Sequence, residues 1–101
     1  MKYDLIIRPE AEEDLSEAFN WYENSRNGLG YDFLLQIDAG FNFITRNPNA
    51  HEDGYAGTKK HLIKRFPYKI IYLIEKKTIV ILGVLHSRRN SKLTEKRIFG
   101  N

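Results

Sequence analysis

At 101 residues, the chain is long enough for one small domain with a single core. It contains no cysteine, which excludes disulfides, thiolate metal sites and a cysteine nucleophile. Residues 1–57 carry four Lys/Arg against eleven Asp/Glu, whereas residues 58–101 carry twelve against two. A basic half of this kind indicates a polyanionic or acidic partner.

No apolar stretch approaches the roughly 20 residues that a membrane-spanning helix requires. The first residues also lack the cleavage pattern of a signal peptide. We therefore predict a cytoplasmic protein that does not act at a membrane.

The first half of the chain predicts a strand followed by two helices. Residues 3–7 are rich in strand formers. Pro9 then opens a helix whose first turn is acidic, as the positive end of the helix dipole favours. After a turn at Gly28, residues 29–46 predict a second helix with one apolar face, which ends before Pro48. Because the turn is short, the two helices should form an antiparallel hairpin.

The second half predicts three strands. Residues 59–66 alternate with period two, and Pro67 indicates an edge strand or a strand end. Residues 68–75 and 78–86 are apolar on both faces, as central strands are, and Lys76-Lys77 would join them. We predict one α+β domain over residues 1–101, ordered β-α-α-β-β-β, with the helical hairpin packed on an antiparallel sheet. Residues 87–101 are basic, and their sequence is compatible with a short helix, a strand or a flexible tail.

The hairpin register brings basic and titratable residues together. If Lys76-Lys77 form the turn, Tyr68 lies opposite Leu85, and Arg65 lies opposite Arg88. One end of the sheet then collects a set of side chains suited to binding a phosphate: Arg65, Tyr68, His86, Arg88 and Arg89.

These residue types suit cleavage of RNA through its own 2′-hydroxyl. That reaction requires a base, an acid and a cation, which His86, Lys64 and Arg65 would supply, while Tyr68 would stack on a base. His61 would be a second proton carrier. The alternative is a solvated basic strand end and an ordinary half-exposed histidine.

No metal site and no cofactor are predicted. The three histidines are far apart in sequence, and no zinc-binding spacing is present. Gly28-Leu29-Gly30 follows no strand and lacks the third glycine of a nucleotide-binding loop. The carboxylates of the first helix are expected to form a solvated outer face; they are Glu10, Glu13, Asp14 and Glu17.

Six short sequence motifs occur in the chain in a specific order and spacing, at residues 8–15, 21–22, 28–30, 47–48, 65–72 and 84–89. Together they resemble the RelE/ParE superfamily of bacterial type II toxins, and most closely its ParE-like branch, often described as plasmid stabilisation proteins. The resemblance covers nearly the whole chain. It implies the same order of elements and a cognate antitoxin protein that docks a helical or extended segment on the toxin.

The resemblance also implies two targets. ParE-like members poison DNA gyrase, whereas RelE-like members cut mRNA in the ribosomal A site without a metal. Arg65 matches the family arginine before the strand, and His86 and Arg89 match its His-x-x-Arg ending, so these three would be catalytic in a ribonuclease. The remaining candidates would bind nucleic acid or the target: His61, Lys64, Tyr68 and Arg88.

The chain departs from the family at its end. Asn90-Ser91 follow where many relatives have a proline, and the tail lacks the late tyrosine of the best RNA-cleaving members. We therefore predict first a toxin that inhibits growth through DNA gyrase. A ribosome-dependent mRNA endonuclease is the alternative, and an inactive descendant serving as a binding module is the third reading. The antitoxin is expected to carry acidic residues facing Arg65, Arg88 and Arg89.

Overall fold

Two helices cover one face of a four-stranded sheet in the computed structural model, which describes residues 2–88, 96 and 97. The elements are β1 (Asp4–Ile7), α1 (Pro9–Ser25), α2 (Leu29–Arg46), β2 (Lys59–Leu62), β3 (Tyr68–Glu75) and β4 (Thr78–His86), and a 3₁₀ turn (Tyr55–Gly57) precedes β2. The predicted α+β class and the order β-α-α-β-β-β are confirmed. The predicted bounds of α2, β3 and β4 agree with the structure at both ends.

The strands lie in the order β1-β4-β3-β2. β2, β3 and β4 are antiparallel, as predicted, while β1 pairs in parallel with the first half of β4, so the sheet is mixed. β2 is an edge strand and ends at Leu62, earlier than the alternating pattern indicated. The chain turns between Leu62 and Tyr68, where Pro67 offers no backbone N–H to a ladder.

The predicted register is correct only in the half of the β3–β4 hairpin that adjoins its turn. Leu82 forms a β-bulge in β4, so each later residue of that strand is displaced by one position. Tyr68 therefore lies opposite His86, and its predicted pairing with Leu85 is wrong. Both strands are apolar on both faces, and such a run has no alternation in which an extra residue would be visible.

The core lies between the helices and the sheet. At their buried faces α1 contributes alanines and α2 a phenylalanine and isoleucines, while the sheet contributes mainly isoleucines: Ala11, Ala18, Phe33, Ile37, Ile44, Ile70, Tyr72, Ile79 and Ile81. A Cβ on Gly40 would lie 2.8 Å from the side chain of Ile70, so this glycine lets α2 approach the sheet. Within the described part of the chain, neither helix combines the length and apolarity that a bilayer crossing demands.

The turn between the helices is held by a carboxylate. Gly28 adopts a φ of 88°, in the left-handed region, and precedes the first residue of α2. Glu23 accepts hydrogen bonds from the backbone N–H groups of Gly28 and Gly30, both at 2.9 Å. A Cβ on Gly30 would lie 2.8 Å from the carbonyl oxygen of Phe19, so the helices cross too closely there for a side chain. This turn fixes how α1 lies against α2.

Candidate functional site

Tyr68 and His86 form a pair at the end of the sheet where β3 begins. The bulge places them directly opposite each other, and their ring centroids lie 5.4 Å apart. The backbone N–H of Arg88 donates to His86 Nδ1 at 3.1 Å. A nitrogen that accepts a hydrogen bond carries the lone pair, so the proton of the neutral ring lies on Nε2. The imidazole of His86 is thus held in a defined orientation.

A pocket of about 250 Å³ lies between α1 and this end of β4. Among the described residues, α1 contributes Asp14, Glu17, Ala18 and Trp21 to its lining, and the strands contribute Tyr68, Val84, Leu85 and His86. Among the described residues, neither lysine nor arginine lines it. The end of the sheet that the sequence indicated as basic therefore opens into a pocket with acidic and aromatic walls.

Asp14 faces the sheet, and the expectation that it faces solvent is wrong. Its side chain is only 11% exposed. The backbone N–H of Val84 donates to its Oδ2 at 2.9 Å, and Arg97 donates to both carboxylate oxygens. The physical reason is that β1 pairs with β4 only as far as Ile81, which leaves Val84 without a neighbouring strand on that side. Asp14 supplies the missing acceptor.

Arg97 completes this arrangement. Its hydrogen bonds with Asp14 raise the pKa of its guanidinium, against the opposing effect of burial, and the nearby charges of Glu10 and Glu13 act in the same direction as Asp14. A Cβ on Gly83 would lie 3.0 Å from Arg97 Nη1. The absence of a side chain at Gly83 therefore leaves room for the ion pair between Arg97 and Asp14.

Arg65 lies outside the pocket. It occupies the turn before β3 rather than a strand, so its predicted pairing with Arg88 is wrong. Its side chain is about half exposed and forms an ion pair with Asp32 on α2, with 3.3 Å between Nη2 and Oδ2. Its φ is 72°, a left-handed conformation that costs a residue with a side chain about 1–2 kcal/mol. The guanidinium carbon lies 5.4 Å from the ring centroid of Phe66.

His61 belongs to a separate cluster, where the edge strand β2 packs against α2. Its Nδ1 lies 2.9 Å from Nε2 of His51, and the ring of Phe43 stacks on it with a 5.0 Å centroid distance. Burial, and then the charge of His51, lower the pKa of His61. Lys59 donates to the carbonyl oxygen of His51 at 2.6 Å and pairs with Asp53. His61 does not line the pocket.

The other predicted site residues are exposed or lie outside the described residues. Lys64 and Arg88 are exposed. Arg89 falls outside the described part of the chain, as does most of the predicted basic tail over residues 87–101. The sequence reasoning missed the helix side of the pocket. A signal was present, because Asp14, Glu17 and Trp21 recur at three- and four-residue spacing and so share one face of α1.

Across residues 2–88, 96 and 97, no group of three or more His, Cys, Asp or Glu side chains could hold a metal ion. The described side chains of the pocket can form hydrogen bonds and ion pairs, stack on aromatic rings and, at His86, exchange a proton.

Comparison with known proteins gives a family and a fold. Residues 5–91 match the family described as the ParE toxin of the type II toxin-antitoxin system parDE. The structure is similar to a chromosomal ParDE toxin–antitoxin system from P. aeruginosa, with a TM-score of 0.74 and 17% identity, over 84% of this chain and 96% of that one. It is also similar to the RelBE2 toxin–antitoxin complex from Mycobacterium tuberculosis, with a TM-score of 0.57 and 22% identity, over 85% of this chain and 99% of that one. No curated protein matches the sequence.

Proposed function

The chain belongs to the ParE toxin family of type II toxin–antitoxin systems, and on that premise we propose that it inhibits growth by binding a protein target, DNA gyrase, and that a cognate antitoxin neutralises it. The composition of the pocket supports a protein target. Glu17, Trp21 and His86 converge there without a lysine or arginine among the described lining residues. Phosphodiester cleavage requires a cation at the developing charge, and a carboxylate wall opposes that charge.

The conformation of Arg65 supports a role in target recognition. A strained, left-handed residue is retained where the surrounding structure or the function requires it, and such residues cluster at functional sites. Arg65 is also about half exposed, so a partner can reach its guanidinium. We assign Arg65, with the exposed Lys64 and Arg88, to contact with the target.

A ribosome-dependent mRNA endonuclease is the second candidate, and the oriented imidazole of His86 favours it. The hydrogen bond from the Arg88 backbone fixes Nδ1 as an acceptor, which leaves Nε2 to exchange a proton with a substrate. In that mechanism His86 would transfer the proton of the 2′-hydroxyl, while Arg65 and Arg89 would stabilise the phosphate. The reaction would require RNA to approach the carboxylate of Glu17.

Induced expression with pulse labelling separates the two candidates. The gyrase proposal predicts an early stop in DNA synthesis with an SOS response, and inhibition of supercoiling when the purified chain is added to gyrase. Arg65→Ala should reduce both effects, whereas Arg46→Ala, which removes an exposed charge at the end of α2, should not.

A rapid stop in protein synthesis with intact DNA synthesis, relieved by His86→Ala, would reject the gyrase proposal and support the endonuclease. Absence of any growth effect would reject both and leave the inactive descendant as a binding module.

A further inference from the structure

The pocket between α1 and β4 includes a carboxylate that no described residue neutralises. Asp14 is neutralised by its ion pair with Arg97. Glu17, by contrast, is exposed and has no ion pair within the part of the chain that the structure describes. The pocket therefore attracts a cation.

The pocket also contains an aromatic side chain that is unusually exposed to solvent. Trp21 is 69% exposed, although indole is among the most strongly buried side chains on average. A planar guanidinium stacks on an indole face better than an ammonium does, and it donates to a carboxylate through a fork of N–H groups. Stacking on Trp21 with donation to Glu17 combines both contacts in one pocket.

The size of the pocket indicates a single side chain. Its volume of about 250 Å³ is below the range of about 300–1,000 Å³ typical of sites for small molecules and cofactors. Ala18 and Leu85 line it beside the charged and aromatic groups, so apolar atoms flank the cation. An arginine between apolar residues has this chemistry.

The backbone of β4 is not available for strand addition at the centre of this site. The N–H of Val84 already donates to Asp14. A partner segment here is therefore anchored by a side chain and not by a continuous β-ladder.

We infer that the pocket receives an arginine side chain of the cognate antitoxin, with its guanidinium stacked on Trp21 and hydrogen-bonded to Glu17. The inference rests on the proposed function for the identity of the partner. It places a basic anchor in an antitoxin that the sequence alone led us to expect to be acidic at this end of the sheet.

The pocket can be tested directly, because Trp21 is the only tryptophan in the chain and its fluorescence reports on this site. The full chain is titrated with a capped five-residue peptide that has a central arginine between leucines. A second peptide carries citrulline, which preserves the shape but lacks the charge. The arginine peptide should give a saturable change in emission and bind at least about tenfold more tightly than the citrulline peptide.

Glu17→Gln should weaken binding of the arginine peptide by a similar factor, about tenfold. Glu12→Gln is a matched change on the same helix outside this pocket, and it should leave the affinity for the peptide unchanged. Both positions are exposed, so both variants should fold. Equal affinity for citrulline, equal effects of the two substitutions, or no saturation up to about 10 mM would overturn the inference. The titration contains neither gyrase nor ribosomes, so its failure is distinct from a failure of the proposed function.

Discussion

Replacing Asp14 with alanine removes an acceptor that serves two elements at once. The carboxylate accepts from the Val84 backbone N–H at 2.9 Å and from the guanidinium of Arg97. Both side chains of the ion pair are mostly buried, at 11% and 22% exposure. The substitution therefore leaves a backbone donor of β4 and a guanidinium without their acceptor. It also removes the hydrogen bond that joins α1 to the end of β4.

The cost follows from these contacts. A hydrogen bond to a charged group contributes about 1.5–3 kcal/mol, and a buried donor left unsatisfied costs about 1–3 kcal/mol. Arg97 retains some exposure and recovers part of its hydration, so the two contributions are not simply added. We expect Asp14→Ala to lower the free energy of unfolding by about 2–4 kcal/mol, a large part of the roughly 5–15 kcal/mol of a small domain.

Urea unfolding followed by circular dichroism measures this loss. Asp38→Ala is the matched control, because Asp38 is an exposed carboxylate on α2, and its loss should change stability by less than about 0.5 kcal/mol. A double-mutant cycle with Arg97→Ala should give a coupling of at least about 1 kcal/mol. A loss below about 1 kcal/mol for Asp14→Ala, or a coupling near zero, would refute the reasoning.

Three further predictions follow from local structure. Glu23→Ala removes the acceptor for two backbone N–H groups at the start of α2 and should cost about 1–2 kcal/mol in urea unfolding; no loss would contradict the capping role. Arg65→Gly removes the strain of a left-handed conformation and loses only an exposed ion pair with Asp32. It should therefore raise the free energy of unfolding by up to about 1 kcal/mol while abolishing growth inhibition. A destabilised variant would contradict the claim that the backbone is strained at Arg65. The lowered pKa of His61 means that the unfolded chain takes up the proton first as the pH falls below about 6.5, so stability is lost there, by no more than about 1.4 kcal/mol per pH unit. His61→Gln, with His51 retained, should flatten that slope, and equal slopes would contradict the pairing.

The sequence predicted the fold well where long, periodic apolar patterns coincide with strong breakers. The helix over residues 29–46 ends at Asn47-Pro48, and the strands over residues 68–75 and 78–86 meet at Lys76-Lys77. These signals are local, and tertiary packing agrees with them. The order of the sequence motifs likewise predicted the ParE toxin family, and the family match over residues 5–91 confirms it.

The candidate site was predicted less completely, because its geometry depends on contacts between distant segments. Nothing in the apolar run of β4 reveals the bulge at Leu82, and that bulge decides which residue faces Tyr68. The inward direction of Asp14 depends on where β1 ends along β4. The left-handed turn at Arg65 is likewise set by its surroundings, since the residue type disfavours it.

The fold places charges from the acidic first half and the basic second half of the sequence at the same end of the sheet. The basic half supplies β2, β3 and β4, yet the pocket at the end of β4 takes its charge from α1, in the acidic half. Glu17 lies on the pocket wall, and the exposed Arg88 follows two residues after His86, which also lines the pocket. A nucleic acid is negative along its whole length and would be repelled by one of these two groups. A protein segment can present an arginine to the first and a carboxylate to the second, which is compatible with the protein partner that we propose.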